Sequence, residues 1–263
     1  MKKYLLLLML GLSINPLFAQ VDSALSKYSY LLVGIKSSNN KTQTIYPLCS
    51  CFFTRRNKEL YLVTAKHCIN DFNGFNLKPT ESNFDTIGFR YYNSILKQTA
   101  FSRLVVRGIK KYLPNDFFYE DPDFVFLKMT DTIVDKFVFS MEKYLQDTIK
   151  NDYKIDSIVS FGYGLKDPTT FSIKTTPMHY SGVLANKTNI DPYYPVNNNI
   201  YYVIQPQAIQ GMSGAPVFLL CSSSNDSKTH IVFGGVLFGT NSKYNSAYIV
   251  DPNVFRYHYL VDK

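Results

Sequence analysis

Leu60-Tyr61-Leu62-Val63-Thr64-Ala65-Lys66-His67-Cys68 is an apolar run of strand length that breaks off at a lysine, a histidine and a cysteine. Apolar, aromatic and β-branched residues packed this densely over so short a run suit a pleated strand better than a helix. The histidine therefore stands where a strand leaves the core, held from behind and open in front. Similar runs recur along the chain: Tyr30–Ile35, Thr86–Tyr92, Arg103–Val106 and Phe124–Met129, then Ser157–Phe161, Tyr201–Ile204, Ala215–Leu220, Ile231–Phe238 and Ala247–Val250. Asn, Asp, Gly, Ser and Pro separate them, as they separate strands. With 21 Tyr and 20 Phe, many Val, Ile and Thr and few Ala and Glu, the composition agrees. No long helical period intervenes before Asp251-Pro252-Asn253, where a capping Asp and a Pro at the first helical position predict a short C-terminal helix. A polar stretch from Asp135 to Asp156 divides the strands into two groups and reads as a crossing segment between two β-subdomains. All-β with two subdomains is as far as composition and spacing reach.

The N-terminus has the pattern of an export signal. Lys2 and Lys3 precede an apolar core, Tyr4–Leu12, too short to span a bilayer, and Leu17-Phe18-Ala19 offers a cleavage region. The expected cut lies between Ala19 and Gln20. The mature chain is then expected in the periplasm or outside the cell, without a membrane anchor and as a monomer. The formal charge of +8, lowered by two on cleavage, is scattered in small groups such as Arg55, Arg56 and Lys58. No basic stripe interleaved with aromatics marks a nucleic-acid face. Four cysteines follow the signal: Cys49, Cys51, Cys68 and Cys221. In an oxidising compartment an even count invites disulfides, and four cysteines allow three connectivities. No Cys-x-x-Cys or paired-His spacing suggests a metal site.

Two further strings carry chemistry. Asp123 opens the run Phe124-Val125-Phe126-Leu127, so its carboxylate is expected in an apolar surround, where it can grip an imidazole and fix its tautomer. Asp116, Asp121 and Asp131 are nearby competitors, but none leads straight into such a run. Gly211-Met212-Ser213-Gly214-Ala215-Pro216 places a serine between two glycines just ahead of a strand. An attacking serine needs backbone N–H groups aimed at an oxyanion, and glycines permit the tight loop that aims them. The candidate base, acid and nucleophile are thus His67, Asp123 and Ser213, with the amides of Gly211 and Ser213 as an oxyanion hole.

In that order, His then Asp then Ser, the three strings resemble the trypsin-like, or chymotrypsin-fold, serine peptidases. Ser160-Phe161-Gly162-Tyr163-Gly164 is similar to the strand that opens that family's second barrel, and Gly235-Val236-Leu237-Phe238-Gly239 to the edge strand that pairs with substrate. Ala247-Tyr248-Ile249-Val250 with its following helix is similar to the family's C-terminal close. The resemblance implies two six-stranded antiparallel β-barrels with the site in the cleft between them. Residues 1–19 would be the signal, 20–140 the first barrel with His67 and Asp123, and 141–263 the second barrel and the helix. It implies a serine endopeptidase acting on protein or peptide substrates through an acyl-enzyme, with no cofactor. It also implies a disulfide that ties down the His loop, Cys51 with Cys68, or alternatively Cys49 with Cys68. The first choice leaves Cys49 and Cys221 as a possible second pair.

The departures from the family matter as well. Digestive and clotting relatives carry an Asp before the nucleophile that captures a new N-terminus. Met212 stands there instead, so no such activation switch is expected, which is closer to bacterial exported members. Gln207 matches the base of the specificity pocket, Leu237 and Phe238 its strand, and Gly239 and Thr240 its wall. None of these is a carboxylate, so a neutral or apolar side chain is expected before the scissile bond. Two other readings are an exported binding or adhesion module on the same fold, with its cleft blocked or unused, and an esterase.

Overall fold

A computed structural model describes residues 24–37, 43–69, 86–93, 98–104, 123–129, 134–147, 150, 152–167, 172–173, 177–184, 201–243 and 245–261. The expected signal segment, its cleavage site and the polar loops 72–85 and 191–199 lie outside these residues. The architecture is all-β, in two six-stranded antiparallel units. The first is built from β1 (Tyr30–Ser37), β2 (Gln43–Arg56), β3 (Glu59–Thr64), β4 (Thr86–Asn93), β5 (Gln98–Leu104) and β6 (Val125–Lys128). Its order is β5-β4-β1-β2-β3-β6. The second uses β7 (Tyr153–Gly162), then, after a short ribbon of β8 (Leu165–Asp167) and β9 (Ser172–Ile173), β10 (Met178–Leu184) and β11 (Tyr201–Gln205). It continues with β12 (Pro216–Ser223), β13 (Asp226–Asn241) and β14 (Ser246–Val250), and closes as the barrel β10-β11-β14-β13-β12-β7.

β2 is the hinge strand of the first unit. Residues Gln43–Cys51 pair with β1 and residues Phe52–Arg56 with β3, so one strand serves two neighbours in succession. The expected crossing segment is shorter than its polarity suggests. It holds a single helical turn at Val134–Lys136 and helix α1 (Glu142–Gln146), and β7 has begun by Tyr153. The first residues of β7, Tyr153 to Asp156, alternate half-buried with exposed, which is why their polarity reads as linker. Helix α2 (Pro252–Val261) forms where the Asp-Pro signal placed it. Asp251 Oδ1 accepts the Asn253 N–H at 2.6 Å, satisfying one of the amides that a helix start leaves unpaired.

The two units share a core. Phe255 of α2 is fully buried and its ring lies 6.1 Å from Phe52 on β2 and 5.1 Å from both Phe124 and Phe126 beside and on β6. On the other side it is 4.8 Å from Phe233 on β13. A second tie runs through α1, where Tyr144 meets Tyr28 at 5.4 Å and Phe218 of β12 at 5.3 Å.

Candidate active site

β3 ends at Thr64 and the chain enters a tight turn, with Cys68 N–H bonded to Ala65 O and Ile69 N–H to Lys66 O, both at 3.1 Å. His67 sits in this turn. β6 runs antiparallel beside β3 with Thr64 opposite Val125, so the residues just before Val125 lie beside those just after Thr64. That register brings Asp123 to His67. Asp123 Oδ2 is 2.6 Å from His67 Nδ1, and Oδ1 accepts the His67 backbone N–H at 3.2 Å. An ionised carboxylate can only accept, so Nδ1 carries the proton and Nε2 is left with its lone pair. Burial works to depress the His67 pKa, but the charge and hydrogen bond of Asp123 outweigh it and hold the imidazole above its ordinary value. Burial likewise favours the neutral acid at Asp123, and the His67 charge and bonds override it to keep the carboxylate below the usual range.

Ser213 lies across from this pair on a loop of two successive β-turns. Met212 N–H bonds to Ile209 O at 3.2 Å, and Ala215 N–H to Met212 O at 3.0 Å. The third residue of each turn is a glycine in the left-handed region, Gly211 at φ 93° and Gly214 at φ 81°. A positive φ at the third position favours glycine, as in a type II turn. The Gly211 and Ser213 amides donate to no group among the described residues, whereas Gly214 N–H is spent on Leu237 O at 2.6 Å. A Cβ at position 214 would strike the Ser50 carbonyl and the Thr64 hydroxyl, so that glycine is required by space as well as by φ. Ser213 Oγ donates to Phe238 O at 3.4 Å, the long end of the range, and makes no hydrogen bond to His67 Nε2.

Ser50, which the sequence reading passes over, joins the two halves of the site. It is fully buried on β2. Its N–H donates to Ser213 O at 2.9 Å, its carbonyl accepts the Thr64 hydroxyl at 2.8 Å, and its Oγ accepts Tyr163 N–H at 2.8 Å. A serine between two cysteines carries no sequence signal for such a role.

The disulfide is Cys49–Cys68, with a Cα–Cα distance of 6.1 Å, and not Cys51–Cys68. The antiparallel register of β2 with β3 explains the correction. Phe52 faces Val63, so extending the ladder toward lower numbers on β2 runs toward higher numbers past β3, which brings Cys49 nearer than Cys51 to Cys68. Cys51 is a buried free thiol in the core shared by the two units, and Cys221 a buried free thiol in a separate cluster of the barrel. The Cys49–Cys221 pair therefore does not form. Cys68 Sγ packs 3.8 Å from both His67 Nε2 and Ser213 O.

The residues expected to shape the specificity pocket are each tied to neighbours in the second unit. Gln207 N–H donates to Asn245 Oδ1 at 3.1 Å, and the Thr240 hydroxyl lies 3.3 Å from Ala208 O and 3.2 Å from Ser246 O. Leu237 is pinned to the Ser213 loop by its N–H to Ala215 O at 3.0 Å as well as by its carbonyl. Gly239, Thr240 and Asn241 pair with β14 alone among the described residues, leaving the other edge of this segment open. Met212 is fully buried, an apolar side chain in the core of the barrel. Among the described residues no helix is long and apolar enough to cross a membrane, and no group of His, Cys, Asp and Glu could hold a metal ion.

No protein-family profile matches the chain, and no curated protein matches it. A solved structure similar to it is that of the scabies mite inactivated protease paralogue S-I1, 13% identical over 87% of this chain and 91% of that chain, with a TM-score of 0.49.

Proposed function

We propose that the protein is an exported serine endopeptidase. The observation that carries the reading is the His67–Asp123 pair, bonded at 2.6 Å, set across from a serine whose loop holds two unspent amides. In this mechanism Ser213 Oγ attacks the scissile carbonyl and His67 Nε2 takes its proton. Asp123 holds the imidazole in the required tautomer and stabilises the imidazolium. The Gly211 and Ser213 amides bind the oxyanion, in the place where preorganised donors act on developing charge. His67 then returns the proton to the leaving amine, and water hydrolyses the acyl-enzyme.

The substrate runs in extended form along the open edge of β13 near Gly239, adding a strand to it. Its side chain before the scissile bond enters the neutral pocket of Gln207, Leu237, Phe238, Gly239 and Thr240. Residues 1–19 direct export and are removed, and the enzyme needs no new N-terminus because Met212 is a core residue. A disulfide in a small β-protein fits an oxidising compartment, in keeping with export.

The bond from Ser213 Oγ to Phe238 O favours a second reading, a silent binding module on the same fold. Catalytic hydrogen bonds are often long before substrate arrives, so this bond weighs less than the His67–Asp123 pair. Labelling with a fluorophosphonate probe separates the two. Wild type is expected to label and Ser213→Ala to stay blank, with a peptide library then reporting cleavage and its preference. A folded wild type that takes no label would hand the case to the binding module.

A further inference from the structure

Away from His67 and Ser213, a cavity of about 620 Å³ opens between the first unit, the crossing segment, Tyr163 just after β7 and Pro177 just before β10. Among the described residues that line it are Lys27, Arg90 and Lys136 and the rings of Tyr30, Tyr91, Phe137, Phe139 and Tyr163, with no carboxylate. Two of the cations are held in place by aromatic faces. Lys27 Nζ stands 4.8 Å from the Phe139 ring centre, and the Arg90 guanidinium 5.2 Å from that of Tyr163. Lys27 and Lys136 make no ion pair with any described carboxylate.

The Tyr30 hydroxyl completes the lining. Tyr30 Oη accepts the Phe139 N–H at 2.7 Å, but its own proton has no acceptor among the described residues. Burial raises the Tyr30 pKa, so the phenol remains a donor. A buried polar group without a partner costs free energy, and a site that keeps several donors and no acceptor charge suits a ligand that only accepts. The ring walls suit an apolar or aromatic body, and the volume is that of a small-molecule site.

We propose that this cavity binds a ring-bearing carboxylate: the carboxylate meets Lys27, Lys136 and the Tyr30 hydroxyl, and the ring lies among Tyr91, Phe137 and Phe139. Such a group has two sources, a free aromatic acid or the C-terminal aromatic residue of a peptide. The site is independent of the catalytic reading.

The test is isothermal titration of the purified protein with 3-phenylpropionate and 3-phenylpropionamide, and with acetyl-Gly-Phe and its amide. The acids are expected to bind, the neutral amides to bind at least about tenfold more weakly, and Lys27→Gln/Lys136→Gln to lose a similar factor while Ser213→Ala binds as wild type. Binding of both acids assigns the site to free aromatic acids as well as chain termini, and binding of the peptide acid alone assigns it to chain termini. Equal binding of acid and amide would overturn the proposal. So would acid binding that survives the double substitution, or the absence of acid binding to the wild type.

Discussion

At Ser50 a single hydroxyl serves as the only hydrogen-bond acceptor for the Tyr163 N–H among the described residues, while the backbone of the same residue holds Ser213. Ser50→Ala leaves that buried amide without a partner, a loss of about 1–3 kcal/mol. The urea midpoint should fall accordingly at constant slope, and an unchanged midpoint would mean that the Tyr163 amide has found another acceptor. His67 and Asp123 make a statement about pH. Because Asp123 holds the imidazole above its ordinary 6.5, the acid limb of kcat/KM should lie above that value. Asp123→Asn should move the limb down and lower kcat on the order of 10⁴-fold. The stability signs follow the same shifts. The raised His67 pKa contributes below 6.5 and is lost as pH rises through the folded value; the lowered Asp123 pKa contributes above 3.8 and is lost as pH falls through its own.

Among the elements, the register of β2, β3 and β6 decides more than any one residue does. It delivers Asp123 to His67 and Cys49 to Cys68, and sets Ser50 beside Thr64. Most of the strands, the helix after Asp251 and the place of His67 at a strand end were legible in the sequence, because each depends on neighbours in the chain, whereas β2 and β10 were not among the runs it marked. The cysteine pairing was not, since Cys49 and Cys51 lie on one strand and differ only in which residue faces the turn beyond β3. The end of the crossing segment was misread for a related reason: one half-wet face of β7 has the same polarity as a linker. Non-reducing peptide mapping should return Cys49 linked to Cys68. Burial raises the thiol pKa of Cys51, and burial with the Asp156 charge pushes Cys221 up to about 11. Both should therefore resist alkylation until the protein is unfolded, and labelling of either in the native state would contradict their burial. Replacing Cys49 and Cys68 together by serine should cost about 2–4 kcal/mol, read as a lower Tm.

Over the whole molecule, the two β units meet through Phe255. Its ring touches β2, the Phe124–Phe126 segment and β13, so the helix that follows the barrel also completes the core of the first unit. Phe255→Ala should destabilise the protein by about 3–5 kcal/mol. Calorimetry should show one transition moving down intact, whereas a split into two would mean that each unit stands without the other. The same ring has a consequence for synthesis. Phe255 leaves the ribosome after Phe52, Phe124, Phe126 and Phe233, and domains otherwise tend to settle from the N-terminus onward. The strand that Asp123 precedes therefore waits, incompletely packed, until the tail of the chain arrives. A nascent chain therefore carries Asp123, ahead of that strand, before the ring that completes the packing of Phe124 and Phe126 has been made.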